Sequence, residues 1–153
     1  MILFLDFDGV LHPEGLGVAQ DHRLFCCLPV LHELLRALPS LEVVFSTSWR
    51  LLYSPDELVG FVAGNAPDLA GRFLGITPDL DTRKRPRGIV GQREDEIRAW
   101  LATNGQASRA WLALDDVPEF FWPGCEGLYL VDWKTGLEPE DVPAIVESLR
   151  FGG

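Results

Sequence analysis

Three apolar runs in this chain end in side chains that can hold a cation or meet a phosphate. Met1 to Leu5 leads into Asp6-Phe7-Asp8-Gly9-Val10-Leu11, Leu41 to Phe45 into Ser46-Thr47-Ser48, and Trp111 to Leu114 into Asp115-Asp116. Short β-branched, aliphatic and aromatic runs closed by turn residues read as buried strands of a parallel sheet, and such sheets bind ligands beyond the carboxyl ends of their strands. All three sets of side chains are therefore expected at one sheet edge. Four carboxylates gathered there repel one another unless a hard divalent cation sits among them, and an all-oxygen donor set points to magnesium.

The elements that must position these groups are legible along the chain. A strand is expected over about 2 to 6, then a glycine-containing loop through Gly15 and Gly17, then a helix from about Leu28 to Leu38. Pro29 suits that helix's first turn and Pro39 its end. The Leu41 to Phe45 strand is followed by a helix opened by Ser54-Pro55-Asp56-Glu57, which has the form of a capping box. A third strand is expected over Arg72 to Ile76 and a strongly amphipathic helix over Arg93 to Thr103, closed by Asn104-Gly105. Trp111 to Leu114 and Gly127 to Val131 complete the strands, and a last helix covers Pro139 to Leu149, with Glu140 and Asp141 favoring its first turn. Strands alternating with helices predict an α/β fold, a three-layer doubly wound (Rossmann-like) parallel sheet.

Length and composition fit one domain over residues 1–153. A chain of this size buries roughly two-thirds of the surface its unfolded form exposes. Hydrophobic residues make up 47% and charged residues 24%, a globular balance. The apolar run before Asp6 is too short for a signal peptide or a membrane span, and a cytoplasmic protein is expected. Cys26, Cys27 and Cys125 have no metal-ligand spacing and read as reduced packing residues.

A net charge of −10 disfavors general DNA binding and anionic membranes. Against that background, Arg83, Lys84, Arg85, Arg87 and Arg93 crowd one short stretch. It reads either as a solvated loop balancing acidic neighbors or as a polyanion-binding edge. Trp49 reads as packing, and His12 as a loop-ending residue outside the candidate set.

The ordered motifs resemble the haloacid dehalogenase-like (HAD) superfamily, whose first motif is matched by Asp6-Phe7-Asp8-Gly9. More narrowly, Phe45-Ser46-Thr47-Ser48-Trp49-Arg50, the segment Arg93-Glu94-Asp95-Glu96-Ile97 with Trp100-Leu101, and Leu114-Asp115-Asp116 resemble the HAD domain of Swiss Army Knife RNA repair-like proteins. The resemblance implies a magnesium-dependent phosphatase acting on a phosphomonoester through an aspartyl-phosphate. Asp6 would be the nucleophile and Asp8 the acid and base. Asp6, the Asp8 carbonyl and one of Asp115 and Asp116 would hold Mg2+, with Asp115 favored as the direct ligand and Asp116 acting through water.

Thr47 best matches the family's phosphate-binding hydroxyl, with Ser46 a close competitor and Ser48 third. Arg93 fits the phosphate clamp, where the wider superfamily commonly has lysine, and Lys84 and Arg87 are alternatives. Arg50 is a further candidate to line the pocket. The intervals Leu11 to Phe45 and Arg50 to Gln92 are too short for a separate domain, so the cap is minimal or absent and the edge open. The substrate would be a nucleotide, a nucleic-acid end such as that of RNA, or a small metabolite. The competing reading is a weakly active or inactive module that binds phosphorylated ligands or a partner protein, against which intact Asp6 and Asp8 argue.

Overall fold

In the computed structural model, which describes residues 1–15 and 24–151, five parallel strands form one sheet in the order β3-β2-β1-β4-β5. The strands are β1 (Ile2–Leu5), β2 (Glu42–Phe45), β3 (Phe73–Ile76), β4 (Trp111–Asp115) and β5 (Leu128–Leu130). The helices are α1 (Leu28–Ala37), α2 (Pro55–Ala63), α3 (Gln92–Thr103) and α4 (Asp141–Phe151). Residues 16–23, which include the expected loop glycine Gly17, lie outside the described residues.

Alternation along β1 divides the core. Leu3 and Leu5 pack with the buried faces of α1, α2 and α4, including Leu31, Leu58 and Ile145. Ile2 and Phe4 point to the other face and meet Ile97, Trp100 and Leu101 of α3. This gives the expected three layers, and both faces of the central strands are buried, as a parallel sheet requires. β1 pairs with β2 from Ile2 opposite Glu42 to Leu5 opposite Phe45, and with β4 from Ile2 opposite Trp111 to Leu5 opposite Leu114. Leu5, Phe45 and Leu114 therefore end at one level, and the residues that follow them emerge side by side.

Some local expectations from the sequence hold and others do not. The Ser54 hydroxyl accepts from the Glu57 N–H at 3.2 Å, so the cap of α2 forms with Pro55 in its first turn. The last helix starts at Asp141 rather than Pro139, and Asp141 accepts there from the Glu138 N–H and the Tyr129 hydroxyl. Helix α3 is not a simple amphipathic helix, because Arg93, Glu94 and Glu96 are buried together with its apolar residues. Cys26 is exposed rather than packed inside, while Cys27 is buried.

Among the described residues, the β1–β2 interval builds only α1 as regular structure. The β2–α3 interval builds α2, β3 and three 3-10 turns. No helix among the described residues is long and apolar enough to cross a membrane.

Candidate active site

The backbone of Asp6 continues the sheet beyond β1, its N–H donating to the Leu114 carbonyl at 3.1 Å. Its carboxylate is buried and accepts from the Phe7 N–H at 2.8 Å, while the Phe7 ring is locked in the core between Phe25, Phe45 and Trp49. The chain then turns sharply, with the Val10 and Leu11 N–H groups both donating to the Phe7 carbonyl. Gly9 sits in this turn at φ +73°. A Cβ there would lie 2.2 Å from Asp116 Oδ2, so only glycine lets the two strand-end loops close on each other.

At the end of β4, Asp115 is buried, and its Oδ1 accepts from the Val117 N–H at 3.0 Å. Arg93, in the first turn of α3, brings Nη1 to 2.5 Å from Asp6 Oδ2 and 2.6 Å from Asp115 Oδ2. The Phe120 ring lies under the guanidinium, 4.8 Å from its center. The start of α3 is fixed by Gly91, at φ +68°, whose missing Cβ leaves room for the Trp122 ring. Trp122 in turn donates from Nε1 to Asp95 and from its backbone N–H to Glu94.

Asp6, Asp115 and Asp116 offer carboxylate oxygens that all lie within 4.8 Å of one another. Burial, only partly offset by Arg93, pushes the Asp6 carboxyl above its ordinary range. Burial and the nearby Asp6 raise Asp115 to about 7 and Asp116 to about 6. Burial works against the Arg93 charge as well, but Asp6 and Asp115 more than offset it and hold the guanidinium firmly protonated. One cation thus faces three acids, a donor set of hard oxygens short of positive charge, which fits a magnesium-type ion. Asp115 has one oxygen on Arg93 and one on Val117, whereas the Asp116 carboxylate makes no ion pair among the described residues.

Asp8 lies beside this cluster, half-buried. His12 Nε2 is 2.8 Å from its Oδ1, and Trp49 Nε1 is 3.2 Å from Oδ1 and 3.1 Å from Oδ2. The hydrogen bond from His12, aided by Trp49, holds the Asp8 carboxyl below its ordinary range despite partial burial. Neither partner is in the candidate set read from the sequence. His12 follows Asp8 by four residues on the same turn, which is the one signal that could have found it.

The hydroxyls divide. Among the described residues Ser46 Oγ is buried with no hydrogen-bond partner, whereas Thr47 Oγ1 accepts from the Trp49 N–H at 3.4 Å and caps the 3-10 turn Ser48–Leu51. Ser48 is exposed at the start of that turn. Unlike the other candidates, Arg50 has every guanidinium nitrogen engaged by the fold. It donates to the carbonyls of Thr47, Thr77 and Pro78 and pairs with buried Glu96 at 3.1 Å. Lys84 is exposed in a 3-10 turn and lines a groove of about 640 Å³ with Arg87 and Trp122, which none of the four aspartates lines. Of Arg93, Lys84 and Arg87, the structure brings Arg93 to the carboxylates.

A family model described as the HAD domain in Swiss Army Knife RNA repair proteins matches residues 2–142. No curated protein and no solved structure matches the chain.

Proposed function

The chain belongs to the family of HAD domains found in Swiss Army Knife RNA repair proteins, phosphatase-like hydrolases, and we propose that it is a phosphomonoesterase working through an aspartyl-phosphate at Asp6. The observation that carries this reading is the pairing of Arg93 with both Asp6 and Asp115 at the ends of adjacent strands. That geometry keeps a buried carboxylate aimed outward from β1 while a fixed guanidinium stands ready for phosphoryl charge.

In the first step an Asp6 carboxylate oxygen attacks phosphorus, the bond to the leaving oxygen breaks, and Asp8 supplies the proton that oxygen needs. In the second step Asp8 takes a proton from the water that attacks the acyl phosphate, releasing phosphate and restoring Asp6. Asp8 rests ionized on its two donors, so the first proton enters with a singly protonated phosphomonoester. Ser46, whose hydroxyl has no partner among the described residues, donates to a phosphoryl oxygen in preference to Thr47, whose hydroxyl oxygen is held at the turn by the Trp49 N–H. Ser48, at the exposed start of the turn, is the more peripheral contact.

Asp6, Asp115 and Asp116, with the Asp8 backbone carbonyl, are the groups that would hold Mg2+. When bound, that ion neutralizes phosphoryl charge and orients the transferred group. The chain acts as a single domain whose open edge accepts a nucleotide, a nucleic-acid end such as that of RNA, or a small phosphorylated metabolite.

Hydrolysis of p-nitrophenyl phosphate with and without Mg2+, by the native chain and by Asp6→Asn, tests the proposal. Metal-dependent turnover that the substitution abolishes is expected. A native chain inactive on that ester and on nucleotides, sugar phosphates and phosphorylated oligonucleotides would contradict it and favor a phosphate-binding module.

A further inference from the structure

Asp8 is gripped from two directions by residues of separate chain segments. Trp49, from the turn after β2, divides its indole N–H between both carboxylate oxygens, at 3.2 and 3.1 Å. His12 closes on Oδ1 at 2.8 Å. The histidine is itself oriented. The Phe25 N–H donates to His12 Nδ1 at 3.3 Å, which assigns the ring proton to Nε2 and makes Nε2 the donor to Asp8.

The backbone carries strain at the same place. Phe25 is the non-glycine residue with positive φ among the described residues, at +60°, and that conformation turns its N–H toward His12. Besides its polar contacts, Trp49 is set by rings, with Phe7, Phe25, Phe61 and Tyr53 within 5.3 to 5.7 Å of it, center to center. An ordinary strand-end aspartate needs none of this apparatus.

We propose that His12 and Trp49 are positioning residues that fix the Asp8 carboxylate in the single orientation that serves proton transfer at the leaving oxygen and at the attacking water. The inference rests on the phosphohydrolase reading above. It predicts a loss confined to the steps that move a proton. With p-nitrophenyl phosphate, whose leaving group departs without protonation, formation of the phospho-enzyme stays fast while its hydrolysis slows. With an alkyl phosphate such as glycerol 2-phosphate, both steps slow.

The test uses Trp49→Phe, which keeps the ring and deletes the N–H, together with His12→Ala and His12→Gln, the last retaining a donor near the Nε2 position. Steady-state kcat for p-nitrophenyl phosphate is expected to fall by about 10²-fold in Trp49→Phe and His12→Ala, with KM falling in parallel so that kcat/KM stays within about twofold. A burst of one equivalent of p-nitrophenol should precede the steady state, and His12→Gln should recover most of the loss. Turnover of glycerol 2-phosphate should fall with no burst. Variants that match the native chain, or that lose turnover of p-nitrophenyl phosphate without a burst while remaining folded by circular dichroism, overturn the positioning role alone. A native chain that forms no Asp6-dependent phospho-enzyme overturns both this role and the reading beneath it.

Discussion

Arg93 Nη1 lies 2.6 Å from Asp115 Oδ2 and reaches Asp6 Oδ2 from the same nitrogen, so one guanidinium ties the ends of β1 and β4 together. The contact spans the center of the sheet, because β1 and β4 are neighbors in register from Ile2 opposite Trp111. It also leaves the site short of positive charge, with Asp116 close by and no second cation on it among the described residues.

Removing that guanidinium therefore acts on both folding and chemistry. Arg93→Met leaves Asp6 and Asp115 buried without their partner and should cost about 3–5 kcal/mol at neutral pH in metal-free buffer. Turnover should fall by about 10²–10³-fold. Chemical denaturation and steady-state kinetics read the two effects, and Arg93→Lys should lose less of each.

The two strand-end hydroxyls should separate cleanly. Ser46→Ala removes a buried hydroxyl that has no partner among the described residues, so stability should hold or rise by about 1 kcal/mol while turnover falls about ten- to a hundredfold. Thr47→Val removes a cap and should cost about 1 kcal/mol with a smaller effect on turnover. Thermal unfolding set beside kcat/KM decides the pair, and equal effects of both substitutions would contradict the assignment.

Arg50 should behave as a structural residue. It joins the turn after β2, the segment after β3 and Glu96 of α3, with side chains 5% and 1% exposed across the ion pair. Arg50→Met should lower stability by about 3 kcal/mol or more, by stranding Glu96. Lys84→Ala should leave stability and turnover of a small phosphomonoester within about twofold of native.

Much of this arrangement was readable in the residues. Asp6, Asp115 and the hydroxyl run stand directly after apolar strands, and a parallel sheet delivers such positions to one edge whatever the rest of the chain does. The resemblance singles out Arg93 by its place at the start of a helix, with Lys84 and Arg87 as alternatives, although no periodicity announces that this helix turns charged residues inward. What could not be read was how long-range contacts divide similar side chains. Ser46 and Thr47 differ only through the turn that Thr47 caps, and Arg50 is withdrawn by carbonyls beyond β3. His12 and Trp49 acquire meaning only when residue 25 and the turn after β2 fold back onto Asp8.

Stability of the metal-free chain should decline as pH rises. Asp116, raised to about 6, and Asp115, raised to about 7, bind protons more tightly folded than unfolded, where they titrate near 4. Between about pH 4 and 7 the native state therefore holds more protons than the unfolded one, and stability falls through that window. Asp8 is shifted the other way, and its contribution is lost only below pH 4. Mg2+ should restore the melting temperature increasingly above pH 6. Asp116→Asn should flatten both trends, as thermal scans from pH 4 to 8 with and without Mg2+ would read.

The most direct test of the account is the site of phosphorylation. Native protein quenched in acid during turnover, reduced with borohydride and digested, should yield the peptide that carries position 6 with homoserine in place of aspartate, and only when Mg2+ and a phosphomonoester are both present. A trapped label at another residue, or active enzyme with no acyl phosphate at Asp6, would contradict the central claim.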